Sequence, residues 1–162
     1  MDRQDRGGLA DALYGLLSAL VRSTPRDMSL TAVATLATLQ RTGPRRITEL
    51  ATVEGVAQPS MTSLIANLER DGLVARQSDP NDRRVTLAVI TAQGMQYLAT
   101  RRRMGTQSVQ RLLEKLSDGE TVALTRAADA LIHLRHLDDQ ERDPAGDHQS
   151  RPSAAPEMGE DR

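Results

Sequence analysis

Between Thr48 and Ile90 the apolar residues change their period, and the change leaves few folds open to the chain. Leu50 and Ala51 mark a short helical stretch, Thr48 to Glu54, which Thr48 can cap. Gly55-Val56-Ala57 is a tight connection, and Pro59 suits a first helical turn, where its missing N–H is not needed. Met61, Leu64, Ile65 and Leu68 then recur at helical spacing as far as Arg70. Asp71-Gly72 ends that run. Two strands are expected after it, Leu73 to Gln77 and Arg84 to Ile90, the second alternating through Val85, Leu87 and Val89. Asp79-Pro80-Asn81-Asp82 has the residues of a type I turn between them. Short helix, tight turn, helix and hairpin form the order of a winged helix-turn-helix, whose second helix enters the major groove of DNA.

The flanks are helical. Leu9 to Arg22 carries Leu9, Leu13, Leu16, Leu17, Leu20 and Val21 on one stripe, and a second helix runs from about Ser29 or Thr31 through Val33, Leu36 and Leu39 to the stop at Thr42-Gly43-Pro44. Thr91 can cap a long helix reaching Leu116, and Ser117-Asp118-Gly119-Glu120 is a capping-box pattern opening a last one through Val122, Leu124, Leu131 and Leu134. With no Phe, no Trp and only Tyr14 and Tyr97 as aromatics, the core must be built from aliphatic residues and Met, which favours packed helices. The expected fold is mainly α with a small β-wing, a winged helix-turn-helix with N- and C-terminal dimerisation helices. One domain spans 1–137, with dimerisation helices at 9–22 and 95–136 and a DNA-binding lobe at 31–91.

The formal net charge of −1 conceals an uneven distribution. From Asp138 onward eight acidic residues face three arginines, a net −5, whereas the rest carries 18 basic against 14 acidic residues, a net +4. Residues 138–162 are polar and rich in Pro and acidic side chains, so a disordered acidic tail is expected. A basic middle fits phosphate binding better than the total charge implies.

Several function classes fall away. The 162 residues include no cysteine, which excludes a disulfide framework, a thiolate zinc site and thiol-based sensing. His133 and His136 lie three apart, but no carboxylate cluster completes a ligand set, and neither a metal nor another cofactor is expected. A nucleophile with its base and a Gly-rich phosphate loop are both missing, so an enzyme is not expected. No run approaches the ~18 apolar residues of a membrane span, and a cytoplasmic protein is expected.

The segment ITELATVEGVAQPSMTSLIANLERDGLVARQSDPNDRRVTLAVITAQG, Ile47 to Gly94, resembles the central part of the MarR family of bacterial transcriptional regulators. Its most specific element is the wing, where Asp82, Arg83 and Arg84 lead into a strand ending Ile90-Thr91, with Gly94 shortly after. The resemblance implies an intertwined homodimer on a pseudo-palindromic duplex, most often a repressor released by a small aromatic or lipophilic effector. It also implies that Arg84 enters the minor groove, oriented by a salt bridge from Asp82. A guanidinium suits that role because it is permanently charged, weakly hydrated and multiply donating. Arg83 becomes a phosphate or second groove contact.

On the second helix of the motif, Gln58, Ser60, Thr62, Ser63 and Asn67 are candidates for base edges or phosphates. Ser63 and Asn67 stand where the family often has arginine, which shifts weight toward the wing and the backbone. Arg45, Arg46, Arg70 and Arg76 are candidate phosphate contacts, and of Arg101, Arg102 and Arg103 at most one or two share a helix face. Tyr14, Met28 and Tyr97 either line an effector pocket or fill gaps in an aromatic-poor core. The alternative function is a winged-helix protein-interaction module without sequence-specific DNA binding, since a fold does not dictate function.

Overall fold

The computed structural model describes residues 3–23, 27–80 and 82–142. Helix α1 (Arg3–Ser23) is followed by α2 (Leu30–Thr42), strand β1 (Arg45–Arg46), α3 (Ile47–Val53), α4 (Gln58–Arg70), β2 (Val74–Ser78), β3 (Thr86–Ile90), α5 (Ala92–Leu113) and α6 (Asp118–Arg142). Local chemistry sets most boundaries. Ser29 caps α2 by accepting from the Ala32 N–H, and Gly43 ends it at a positive φ of 78° that an L side chain would resist. Thr91 caps α5 through the Gly94 N–H, and Ser117 and Glu120 close the capping box of α6.

Beyond shifts in element ends, such as β3 starting at Thr86 rather than Arg84 and α1 at Arg3 rather than Leu9, the structure departs from the sequence expectation in three ways. The sheet has three strands, in the order β1-β3-β2, because Arg45 and Arg46 pair antiparallel with Ala88 and Leu87. Helix α3 begins at Ile47 rather than being capped by Thr48, since the Glu49 carboxylate accepts the Arg46 N–H at 3.3 Å and so takes over the capping. Helix α6 continues to Arg142, so residues 138–142, expected in the acidic tail, are helical. Arg142 pairs with Asp138 one turn back at 3.0 Å, and Asp139 meets Arg41 of α2 at 3.8 Å. The remainder of the expected tail and Asn81 of the hairpin turn lie outside the described residues.

The buried core lies between α2 and β3, with Met28 from before α2 and Tyr97 and Leu98 of α5 packed against it. Leu36 and Leu39 of α2, Leu50 of α3, Met61, Ile65 and Leu68 of α4, and Val74 and Ala88 of the sheet form one buried cluster. Thr35 sits inside it with its hydroxyl donated to the Thr31 carbonyl at 2.8 Å, which meets the requirement that a buried hydroxyl be bonded. Helix α6 is the reverse and buries no residue at all. Leu9, Leu16, Leu17 and Val21 of α1, Leu112 and Leu113 of α5, and Val122, Leu124, Leu131, Ile132, Leu134 and Leu137 of α6 are all exposed.

Candidate nucleic-acid interface

Burying Met61, Ile65 and Leu68 fixes which side of α4 faces outward, and that side carries Gln58, Ser60, Thr62, Ser63 and Asn67, all exposed. Two of these hydroxyls are already committed as donors. Thr62 Oγ1 donates to the Gln58 carbonyl at 2.9 Å and Ser63 Oγ to the Pro59 carbonyl at 3.1 Å. Their oxygens keep accepting lone pairs, so toward a base edge they act as acceptors, matching the exocyclic amino group of cytosine or adenine. Asn67 offers both a donor and an acceptor.

The hairpin places Arg83 and Arg84 at an exposed tip beyond β2 and β3. Asp79 N–H donates to the Val85 carbonyl and Val85 N–H to the Asp82 carbonyl, both at 2.9 Å, which closes the base of the tip. The expected Asp82–Arg84 side-chain salt bridge is not among the ion pairs of the described residues. Instead the Arg84 main-chain N–H donates to Asp82 Oδ1 at 3.0 Å. Asp82 thus shapes the backbone from which Arg84 projects and leaves the guanidinium pointing into solvent.

The other arginines divide by burial. Arg45 is buried, with its Nε donating to Thr42 Oγ1 at 3.1 Å, which removes it from the phosphate candidates. Arg46 is exposed and pairs with Asp79 at 3.6 Å, tying the start of α3 to the base of the wing. Arg76 of β2 pairs with Glu69 of α4 at 3.0 Å, bracing the hairpin against the helix. Arg70 is far more open, with a long contact of 3.9 Å to Asp71.

Tyr14 is 75% exposed on α1 and fills no gap in the core, while Met28 packs against the core at the mouth of α2. A cleft of about 520 Å³ beside Met28 is lined by Ser60, Ser63, Leu64 and Asn67 of α4, and by neither tyrosine. Tyr97 instead belongs to a network that sequence reasoning missed: its hydroxyl donates to Asp27 Oδ2 at 2.8 Å, and Arg101 Nη1 donates to Asp27 Oδ1 at 2.8 Å and to the Tyr97 oxygen at 3.1 Å. The i, i+4 spacing of Tyr97 and Arg101 was the available signal; their partner lies 70 residues away in sequence. The Tyr97 hydrogen bond, and then that of Arg101, lower the Asp27 pKa against some desolvation; partial burial, then the Asp27 hydrogen bond, raise that of Tyr97.

Comparison with known proteins gives a consistent result. The model of the MarR family matches residues 28–86. An uncharacterized HTH-type transcriptional regulator of Mycobacterium leprae is 34% identical over 114 residues, covering 70% of this chain and 79% of the relative. The structure of a MarR family protein from Bacillus stearothermophilus superposes with a TM-score of 0.67 at 21% identity, over 84% of this chain and 99% of that one. A variant of MepR from S. aureus, solved bound to an oligodeoxyribonucleotide, superposes with a TM-score of 0.60 at 20% identity, over 79% of this chain and 97% of that one.

Proposed function

The chain belongs to the MarR family of transcriptional regulators, and on that premise we propose that it works as a homodimer reading a pseudo-palindromic duplex through α4 and the wing. The observation that carries this reading is the polar face of α4, exposed among the described residues, beside an arginine-tipped hairpin braced to it by Arg76 and Glu69. Ser60, Ser63 and Asn67 with Gln58 and Thr62 supply base and phosphate contacts, Arg84 and Arg83 enter or flank the minor groove, and Arg70 neutralises phosphate. Arg76 reaches DNA only by giving up Glu69.

Dimerisation follows from the apolar faces of α1, α5 and α6. A helix of 25 residues that buries nothing lacks the tertiary packing that sustains most helices, and a second copy supplies it. The dimer then sets two α4 helices about 34 Å apart, one turn of duplex. The regulator acts in the cytoplasm by binding, without catalysis. Its bound state blocks transcription, and a small aromatic or lipophilic effector that favours another lobe spacing releases it. Among the described residues no helix is long and apolar enough to cross a membrane, and no group of three potential ligands is placed to hold a metal ion.

Selection from a random duplex pool, followed by affinity measurement at two salt concentrations, tests the reading. The expected result is a palindrome bound with steep salt dependence. A folded dimer that enriches no sequence would overturn it in favour of a protein-interaction module.

A further inference from the structure

The two ends of α5's first half are held to the central lobe in different ways. At the start, Thr91 Oγ1 donates to the Gly72 carbonyl at 2.7 Å, Gln93 Nε2 donates to the Asp71 carbonyl at 3.2 Å, and Gly94 lies against the Leu73 carbonyl. This anchor joins α5 to the end of α4. One and two turns further along, Tyr97 and Arg101 hold Asp27, two residues before the cap of α2, using both of its carboxylate oxygens. A rod fixed at one point swings, and a second point sets its direction. Leu98 also packs on the core, but apolar contact is non-directional and does not by itself fix an angle. The Arg101 side chain is 12% exposed and that of Asp27 51%, so the ion pair itself is open to solvent on the carboxylate side and the constraint lies in the geometry of the three hydrogen bonds.

We infer that the Asp27–Tyr97–Arg101 network is a positioning strut that sets the angle between α5 and the central lobe, and thereby the separation of the two recognition helices and the half-site spacing that the dimer accepts. The inference rests on the dimeric DNA-binding reading above. From the anchor at Gly94 to Leu113 α5 extends about 28 Å, so a swing of about 7° displaces its far end by about 3.5 Å, close to the rise of one base pair. A small error in angle therefore changes which operator spacing fits.

The absence of cysteine allows a direct test. In full-length protein carrying Ala66→Cys, on the exposed side of α4, a spin label reports the distance between the two recognition helices of the dimer. The unsubstituted network is expected to yield one narrow distance distribution, and Asp27→Asn or Arg101→Met a shifted or broadened one. Arg101→Lys is expected to restore it, because a single nitrogen, Nη1, makes the hydrogen bonds to both Asp27 and Tyr97. On the duplex selected by the protein, inserting one base pair between half-sites should weaken binding about tenfold, and in Arg101→Met only about twofold or less. An unchanged distribution in folded dimers of both network variants overturns the strut and leaves the DNA-binding reading intact. A chain that sediments as a monomer overturns both.

Discussion

Tyr97 is the residue whose chemistry is most easily isolated, because only one other tyrosine is present and Tyr14→Phe removes it. In that background the ultraviolet titration of tyrosinate should fall above the ordinary value of about 10, owing to partial burial and the hydrogen bond to Asp27. Adding Asp27→Asn should bring it down. A folded value above the unfolded one means that this contribution to stability is complete below about pH 10 and disappears as pH rises through the folded value. Asp27 has the opposite sign: its lowered pKa contributes above the unfolded carboxylate value of about 3.9, and the contribution is lost as pH falls through the folded one. At the proposed interface, Arg84→Ala is expected to weaken binding to all sequences alike and reduce the salt slope by about one. Ser63→Ala or Asn67→Ala should instead change base preference, by about 1–3 kcal/mol for each base-edge hydrogen-bonding pair removed. Binding measured on the selected duplex and on scrambled DNA separates the two, and equal losses of preference in both classes would refute the division of labour.

Among the elements, the junction of β3 with α5 is the most constrained. A methyl group at Gly94 would collide with the Leu73 carbonyl oxygen and come within 2.8 Å of Ile90 Cγ1, so Gly94→Ala is expected to destabilise the fold by about 1–3 kcal/mol. Thr91→Ala removes a helix cap and a hydrogen bond to Gly72, for about 1 kcal/mol or more. Denaturant melts of both variants check the pair, and an unperturbed Gly94→Ala midpoint would show that α5 moves aside freely. Elements like these were readable in the sequence because their signals are local: the stripe of α4, the caps at Thr91 and Ser117, and the alternation of β3. Strand β1 was not, since two arginines have no period and pair with β3 across about forty residues of chain. Arg45 shows the same limit for the site, because its type predicts exposure while its pairing with Ala88 carries it inward to Thr42. The polar face of α4 was readable from periodicity alone. The strut at Asp27 was not, because periodicity places residues on a face without saying what meets that face.

At the scale of the whole molecule, burial divides the chain into two materials. From α2 to β3 the apolar side chains find one another within the chain, whereas those of α1, α6 and the far half of α5 face outward. Such faces lose by staying wet, at about 1.5–3 kcal/mol for each large aliphatic side chain that a partner would fully cover. Six aliphatic residues on α6, each still about half exposed, would together gain about 4–9 kcal/mol from such a cover, comparable with the stability left to a typical single domain. It follows that the outer helices and the assembly should melt together, and that the melting temperature should depend on concentration, since association and folding share one equilibrium. Dilution by about a hundredfold is expected to lower the midpoint measured by circular dichroism, and Leu131→Glu with Leu134→Glu should abolish that dependence while removing helical signal. The central lobe, with its own closed core, should keep its share of that signal in the double variant. A midpoint indifferent to dilution, with the double variant as stable as the parent, would mean that these faces are covered within one chain, and the spacing of two recognition helices would then need another origin.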